Sequence, residues 1–274
     1  MSHSIKISAL TAFCTATAVF ALDEYNPVPA RVMQINMGIE RTSVSGYYND
    51  GWESDGNANK NNPVTIPMQG KFGLLDKLEG SMEVDYLIVD QVGHTGLDRP
   101  KLALKYGDPL TGIGGYLAIA LPIGFEDIMN AGNFATMSFG GMYNRNFPRV
   151  NLMSNASYSF NTEDNHNDKI DNIRLFVKPE MPIPAKAMTA KGQYLGVNLG
   201  MTYEFFFNQL KDGDPTDKNG HLLMVAPGAY YTFNKIISAE MQFPLSLAGQ
   251  NQAETQSFRL ELFFTLDEGL YNSL

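Results

Sequence analysis

The stretch QYLGVNLGMTYEFFF, residues 193–207, alternates between two kinds of side chain. Leu195, Val197, Leu199, Met201, Tyr203, Phe205 and Phe207 form one set. Gly196, Asn198, Gly200, Thr202, Glu204 and Phe206 form the other. Successive side chains of an extended strand point to opposite faces, so one face here is apolar and the other mostly polar or small. An apolar face this long exceeds what a half-buried edge in an ordinary sheet needs. It looks either at a protein core or at lipid.

Working outward, the same pattern recurs. Twelve strands are expected at about 30–41, 64–74, 79–90, 99–107, 112–122, 133–144, 148–160, 170–179, 190–207, 221–233, 236–247 and 254–266. In the third, Met82, Val84, Tyr86 and Ile88 oppose Glu83, Asp85 and Leu87; in the eighth, Ile173, Leu175 and Val177 oppose Arg174, Phe176 and Lys178. The connections alternate too. DKLEG, DPLTG, NRNFP and Asn234-Lys235 are short and rich in turn-forming residues, and they follow even-numbered strands. Long polar segments, such as SGYYNDGWESDGNANKNNP, NTEDNHNDK and SLAGQNQAET, follow the odd ones. PEMPIPAKAMTA, after the eighth strand, breaks the rule.

Short turns at one end and long loops at the other, around alternating strands, predict an all-β chain closed into an antiparallel transmembrane β-barrel. The turns would then be periplasmic and the loops extracellular. A soluble sandwich also alternates, but it has no reason to sort its loops by parity. Closing the sheet leaves no unpaired backbone edge in hydrocarbon. The apolar face therefore looks at lipid. Tyr25, Tyr47, Tyr48, Tyr143, Tyr158, Phe160, Tyr203, Tyr231 and Phe233 gather near strand ends, as aromatic girdles would.

Composition agrees. Charged residues make up 18% of the 274, against roughly 25% in a usual soluble domain. After Phe20 no apolar run approaches the roughly 20 residues of a membrane-spanning helix. The N-terminus, MSHSIKISALTAFCTATAVFALDEYN, carries a Lys near its start and an apolar stretch, then Val19-Phe20-Ala21 before an acidic segment. It reads as a secretory signal peptide over residues 1–21, cut after Ala21, with the barrel over 22–274 and the outer membrane as destination. Cys14, the single cysteine, leaves with the leader, so no disulfide is expected. So does Lys6, which leaves 19 basic against 29 acidic residues. That balance argues against nucleic acid as a partner. Membrane lipid and small solutes remain.

The alternation also assigns charges to the interior: Glu40, Glu83, Asp85, Glu204, Glu240 and Glu261 against Lys71, Lys101, Lys105, Arg174, Lys178 and Arg259. Opposite signs fall on neighbouring strands, Lys71 beside Glu83 and Asp85, and these beside Lys101 and Lys105. Closure brings Arg259 and Glu261 near Glu40. The set suits a transverse field across a narrow water-filled pore. It equally suits an ion-pair network that fills the barrel.

Catalysis finds little footing. The histidines after the leader are His94, His166 and His221, none beside a Ser in a His-x-Ser arrangement. Asp164-Asn-His166 sits in a polar loop, and no phosphate loop, zinc spacing or nucleophile elbow occurs, so no enzyme and no cofactor is expected. Asp212, Asp214, Asp217 and Asn219 in DGDPTDKNG carry oxygen ligands at a spacing that suits calcium. Asp217 stands where such a loop wants Gly and no Glu closes it, so a solvated acidic loop is the simpler reading.

DRPKLALKYGDPLTGIGGYLAIALPIG, Asp98 to Gly124, runs from an Asp through a Lys-Tyr strand end and a turn to a small-residue strand closing in Leu-Pro-x-Gly. It resembles the outer-membrane barrel family labelled "putative meta-pathway of phenol degradation". The resemblance covers about a tenth of the chain and implies a transporter of hydrophobic compounds. At the C-terminus the chain departs from the usual barrel pattern, since TLDEGLYNSL follows Phe264. The expected function is a passive, porin-like channel for small molecules. The alternatives are a structural or surface-binding barrel with an ion-pair-plugged lumen, and a soluble secreted β-sandwich.

Overall fold

The computed structural model describes residues 27–54, 56, 62–89, 94–122, 135–162, 169–183, 193–211, 214–215 and 219–266. The expected leader, Tyr25, Asp164 with His166, Asp212 and Asp217 lie outside them, as do the side chains of His94 and Asp214.

Twelve antiparallel strands close into a barrel. They are β1 (Met33–Tyr47), β2 (Val64–Leu75), β3 (Leu78–Val89), β4 (Lys101–Asp108), β5 (Ile113–Ala120), β6 (Thr136–Asn146), β7 (Asn151–Asn161), β8 (Lys169–Ile183), β9 (Tyr194–Lys211), β10 (Gly220–Thr232), β11 in two pieces (Ile237–Gln242 and Leu245–Gln250) and β12 (Ala253–Leu266). Each strand pairs with its chain neighbours. β1 pairs with β12 from Met33↔Leu266 to Tyr47↔Ala253, and this closes the ring. A short strand, His94–Leu97, continues the β4 line along β3. Both interruptions contain proline: Pro100 between that strand and β4, and Pro244 within β11. Proline has no N–H to give a ladder, so the pairing steps over it. Backbone bonds carry the wall across each gap, from Asp98 N to Asp85 O at 2.7 Å and from Ser257 N to Pro244 O at 2.8 Å.

The faces fall as the alternation requires. On β9 Val197, Leu199 and Met201 are exposed, whereas Asn198, Gly200, Thr202, Glu204 and Phe206 are buried. Met37, Ile39, Leu102, Leu104, Leu117, Leu175, Leu260 and Leu262 are likewise exposed on other strands. A ring of apolar side chains outside and buried polar ones inside inverts a soluble protein and matches a wall in lipid. The outer face ends in linked rings, Phe139–Tyr158–Phe207–Phe205–His221–Trp52, with centroids 4.7–6.0 Å apart.

Two expectations about strand limits need correction. β1 runs to Tyr47, beyond the expected end near 41, because β12 extends a ladder to residues that show no alternation of their own. SLAGQNQAET is not a long loop. Leu245–Gln250 pairs with β10, and only Asn251 and Gln252 join β11 to β12, with Asn251 in the left-handed region at φ 52°. The other short connections lie where expected. The turn from β4 to β5 ends on Gly112 at φ 72°, where a Cβ would meet Asn144 O at 2.0 Å, so no other residue fits.

Residues 27–32 enter the barrel at this short-turn end. Val28 is buried and its N–H donates to Glu79 Oε2 at 2.8 Å. Arg31 N donates to Gly73 O, and Gly73 N to Val32 O, both at 3.0 Å. Gly73 permits this approach: a Cβ there would lie 1.8 Å from Pro29 O.

Candidate functional site

All twelve charged residues picked from the alternation are buried on the interior face. They are not spread singly. Lys101 Nζ lies 2.8 Å from both Glu83 Oε1 and Asp85 Oδ2, and Gln69 Nε2 donates to Glu83 Oε2 at 3.2 Å. Arg174 and Glu204 stand directly opposite on β8 and β9, with Nε 3.4 Å from Oε1. Lys178 reaches past two strands to Glu240 Oε1 at 2.6 Å, where Asn198 Nδ2 and Gln242 Nε2 also donate at 2.6 and 2.8 Å. At the closure Glu40 lies opposite Arg259, whose guanidinium holds Glu261.

One neighbourhood differs from the expected one. Lys71 stands opposite Gln34 and Ser81, while Lys101 stands opposite Glu83 and takes both Glu83 and Asp85. Lys105 goes to Glu79, Nζ to Oε1 at 3.9 Å. Face alternation is a property of one strand, whereas partner choice depends on the stagger between strands, which a sequence does not state.

Three buried charges of the interior parity were not picked out: Glu79, Arg99 and Glu180. Each shares parity with charges on its own strand line, Glu79 with Glu83, Arg99 with Lys101, and Glu180 with Lys178. Each also sits within a residue or so of a predicted strand end, where the pattern was cut short.

The second unpredicted feature is apolar. Tyr48, Phe176, Phe206, Leu222 and Met224 form a buried cluster inside the barrel, with Ile170 packed against it. Tyr48 had been expected in a girdle; instead it turns inward just past β1, its hydroxyl donating to Ser246 O at 3.3 Å. The Arg174 guanidinium lies 5.5 Å from the Phe176 ring centroid, so the charged and apolar zones touch.

Beside this cluster is a cavity of about 50 Å³, lined by residues that include Arg99, Lys101, Tyr116, Thr136, Asn172 and Phe206. The positions where β4, β6 and β8 begin and β5, β7 and β9 end place it beneath the long connections. Its polar wall is ordered: Arg99 Nη1 donates to Thr136 Oγ1 at 3.1 Å, Thr136 Oγ1 to Asn161 Oδ1 at 2.6 Å, and Ser138 and Ser159 share a hydroxyl bond at 2.7 Å. Among the described residues no group of three or more His, Cys, Asp or Glu could hold a metal ion.

This architecture has solved counterparts. An outer membrane channel from Pseudomonas putida F1 superposes with a TM-score of 0.70 at 13% identity, over 89% of this chain and 98% of that one. This is the fold of outer-membrane barrels. The translocator domain of the autotransporter NalP from Neisseria meningitidis follows at 0.58 and 12%, over 96% of this chain and 97% of that one. The NanC porin gives 0.51 and 10%, over 86% of this chain and all of the other. No protein-family model matches the sequence. No curated protein matches it either. At these identities the likeness carries architecture and leaves function to the interior.

Proposed function

We propose that this protein is a narrow passive channel for small molecules in a Gram-negative-type outer membrane, exported by the leader over residues 1–21. One observation carries the reading: charged side chains from eight of the twelve strands are kept inside the barrel. A wall that had only to be rigid would be filled at lower cost by apolar residues, since replacing buried ion pairs with packed hydrophobes is often neutral or stabilising. Charges held in opposed pairs around a lumen are what a selective constriction uses. The likeness to proteins described as an outer membrane channel and a porin supports the same class. The finer reading, a transporter of hydrophobic compounds, draws support from the stretch that resembles such a family. Arg99, Lys101, Tyr116 and Ala118 of that stretch all line the cavity, next to the apolar cluster.

A specific observation favours the second reading, a plugged structural barrel. Lys105, Glu79, Arg174, Lys178 and Glu204 are each at most 1% exposed, and residues 27–32 occupy one mouth. Planar-bilayer recordings of the refolded mature chain separate the two. Discrete, small conductance steps are the expected result. A barrel shown to be folded by heat-modifiable gel mobility, yet silent at every voltage, would overturn the channel and leave the structural reading.

A further inference from the structure

Each charge at the cavity beneath the long connections has an opposite one close by. Lys101 is held by two carboxylates at 2.8 Å, and Arg99 has Asp98 Oδ1 at 3.9 Å from its Nε. The site therefore offers no surplus charge to an ionic solute. Its unmet demand is of another kind. Asn172 is 7% exposed, and its Oδ1 is buried without a hydrogen-bond partner among the described residues. A buried acceptor left unpaired is costly, so an occupant that brings a donor is favoured over one that does not. Phe206 faces Asn172 directly across the β8–β9 ladder, and Ile170 adds a second apolar surface to the same wall.

We infer that this cavity is a solute subsite for a small neutral molecule carrying one O–H or N–H donor on a short apolar body. The donor meets Asn172 Oδ1 once a turn of the amide about χ2 presents that atom to the cavity, and the body lies on Phe206 and Ile170. The inference rests on the channel reading and names the class of solute that such a channel would take. A volume of about 50 Å³ suits a molecule of a few heavy atoms rather than a sugar or peptide.

The test uses the full mature chain in lipid nanodiscs, with saturation-transfer NMR against 1-butanol, its isostere 1-methoxypropane, and butanoate. Empty nanodiscs supply the partitioning background. Butanol should bind saturably, with a dissociation constant on the order of millimolar for so few atoms. The ether, which lacks the donor, should bind about tenfold more weakly, and butanoate no better than the ether. Asn172→Leu should erase the preference for alcohol over ether. Should that variant fail to fold, Asn172→Ala should erase it as well. An ether that binds as tightly as the alcohol, or a preference that survives both substitutions, would overturn the subsite. Conductance measured in parallel keeps the two readings apart: conductance without saturable binding removes the subsite and leaves the channel. Binding without conductance overturns the channel and leaves a binding site.

Discussion

Lys101→Met removes an ammonium and keeps most of the stem that carries it. The group lost lies 2.8 Å from two carboxylates, and the three side chains are 7%, 3% and 6% exposed. At that distance, in an effective dielectric of about 20, each attraction amounts to about 6 kcal/mol before desolvation is counted. Several kcal/mol per ion are lost again by taking the charges from water, and measured losses on breaking a buried pair run at about 3–5 kcal/mol. The latter figure is the expected destabilisation. It arises because Glu83 and Asp85, two residues apart on one interior face, are left with Gln69 as the remaining described donor to Glu83. Urea unfolding in short-chain lipid vesicles, followed by fluorescence of Trp52, the single tryptophan, gives the number. The triple variant Glu83→Gln/Asp85→Asn/Lys101→Met should recover most of the loss, since no charge is then stranded. A Lys101→Met barrel within about 1 kcal/mol of the parent would refute the reasoning, because that is the behaviour of water-screened pairs. The lumen would then be wet at mid-height, and the same variant should shift ion selectivity towards cations.

Leu199→Arg, on an exposed mid-strand position of β9, should weaken insertion by about 2–4 kcal/mol in vesicle-folding titrations. Asn198→Ser, on the buried face next door, should lose only its bond to the Glu240 carboxylate, about 1.5–3 kcal/mol in unfolding titrations, and leave insertion intact. In a Cys14→Ser background, Gly56→Cys should react with an impermeant maleimide on intact cells and Asn234→Cys only after lysis; the opposite pattern would reverse the barrel's orientation. Gly73→Val should expel residues 27–32 from the short-turn mouth, because its Cβ would overlap Pro29 O, and single-channel conductance should rise. An unchanged conductance would mean that this segment does not limit flow.

The architecture was legible because two signals repeat along the chain, face alternation and the sorting of loops by length. Legibility failed wherever one residue could serve either face. On β10, Leu222, Leu223, Met224 and Val225 are all apolar, so the sequence does not say that Leu222 and Met224 point inward while Leu223 and Val225 point outward. Only the ladder to β9, which sets Leu222 opposite Glu204 and Met224 opposite Thr202, decides it. SLAGQNQ looked like a loop because its composition is that of one; pairing with β10 overrides a weak local preference. The cavity has no sequence signature at all. Its wall comes from β4 to β9 and from the approach to β4, and its orphaned acceptor follows from how Asn172 is packed.

The interior is thus divided into two zones, and the division bears on what could pass. Matched pairs such as Arg174 with Glu204 and Lys178 with Glu240 leave little net field, so the proposed constriction has no strong reason to prefer one sign of small ion. An ion in transit would also have to be solvated by groups already engaged with one another. A neutral solute meets neither obstacle. It can rest first on Phe206, Leu222 and Met224 beneath the long connections, then exchange hydrogen bonds with groups on the charged wall as these reorganise. The same pairs that look wasteful as structural filler are then selective by being satisfied: they exclude whatever needs them to separate. On the proposed reading, low conductance for potassium and chloride alike goes together with measurable flux of small neutral molecules. Strong selectivity for either ion in the unaltered protein would contradict the balance of charge in the lumen.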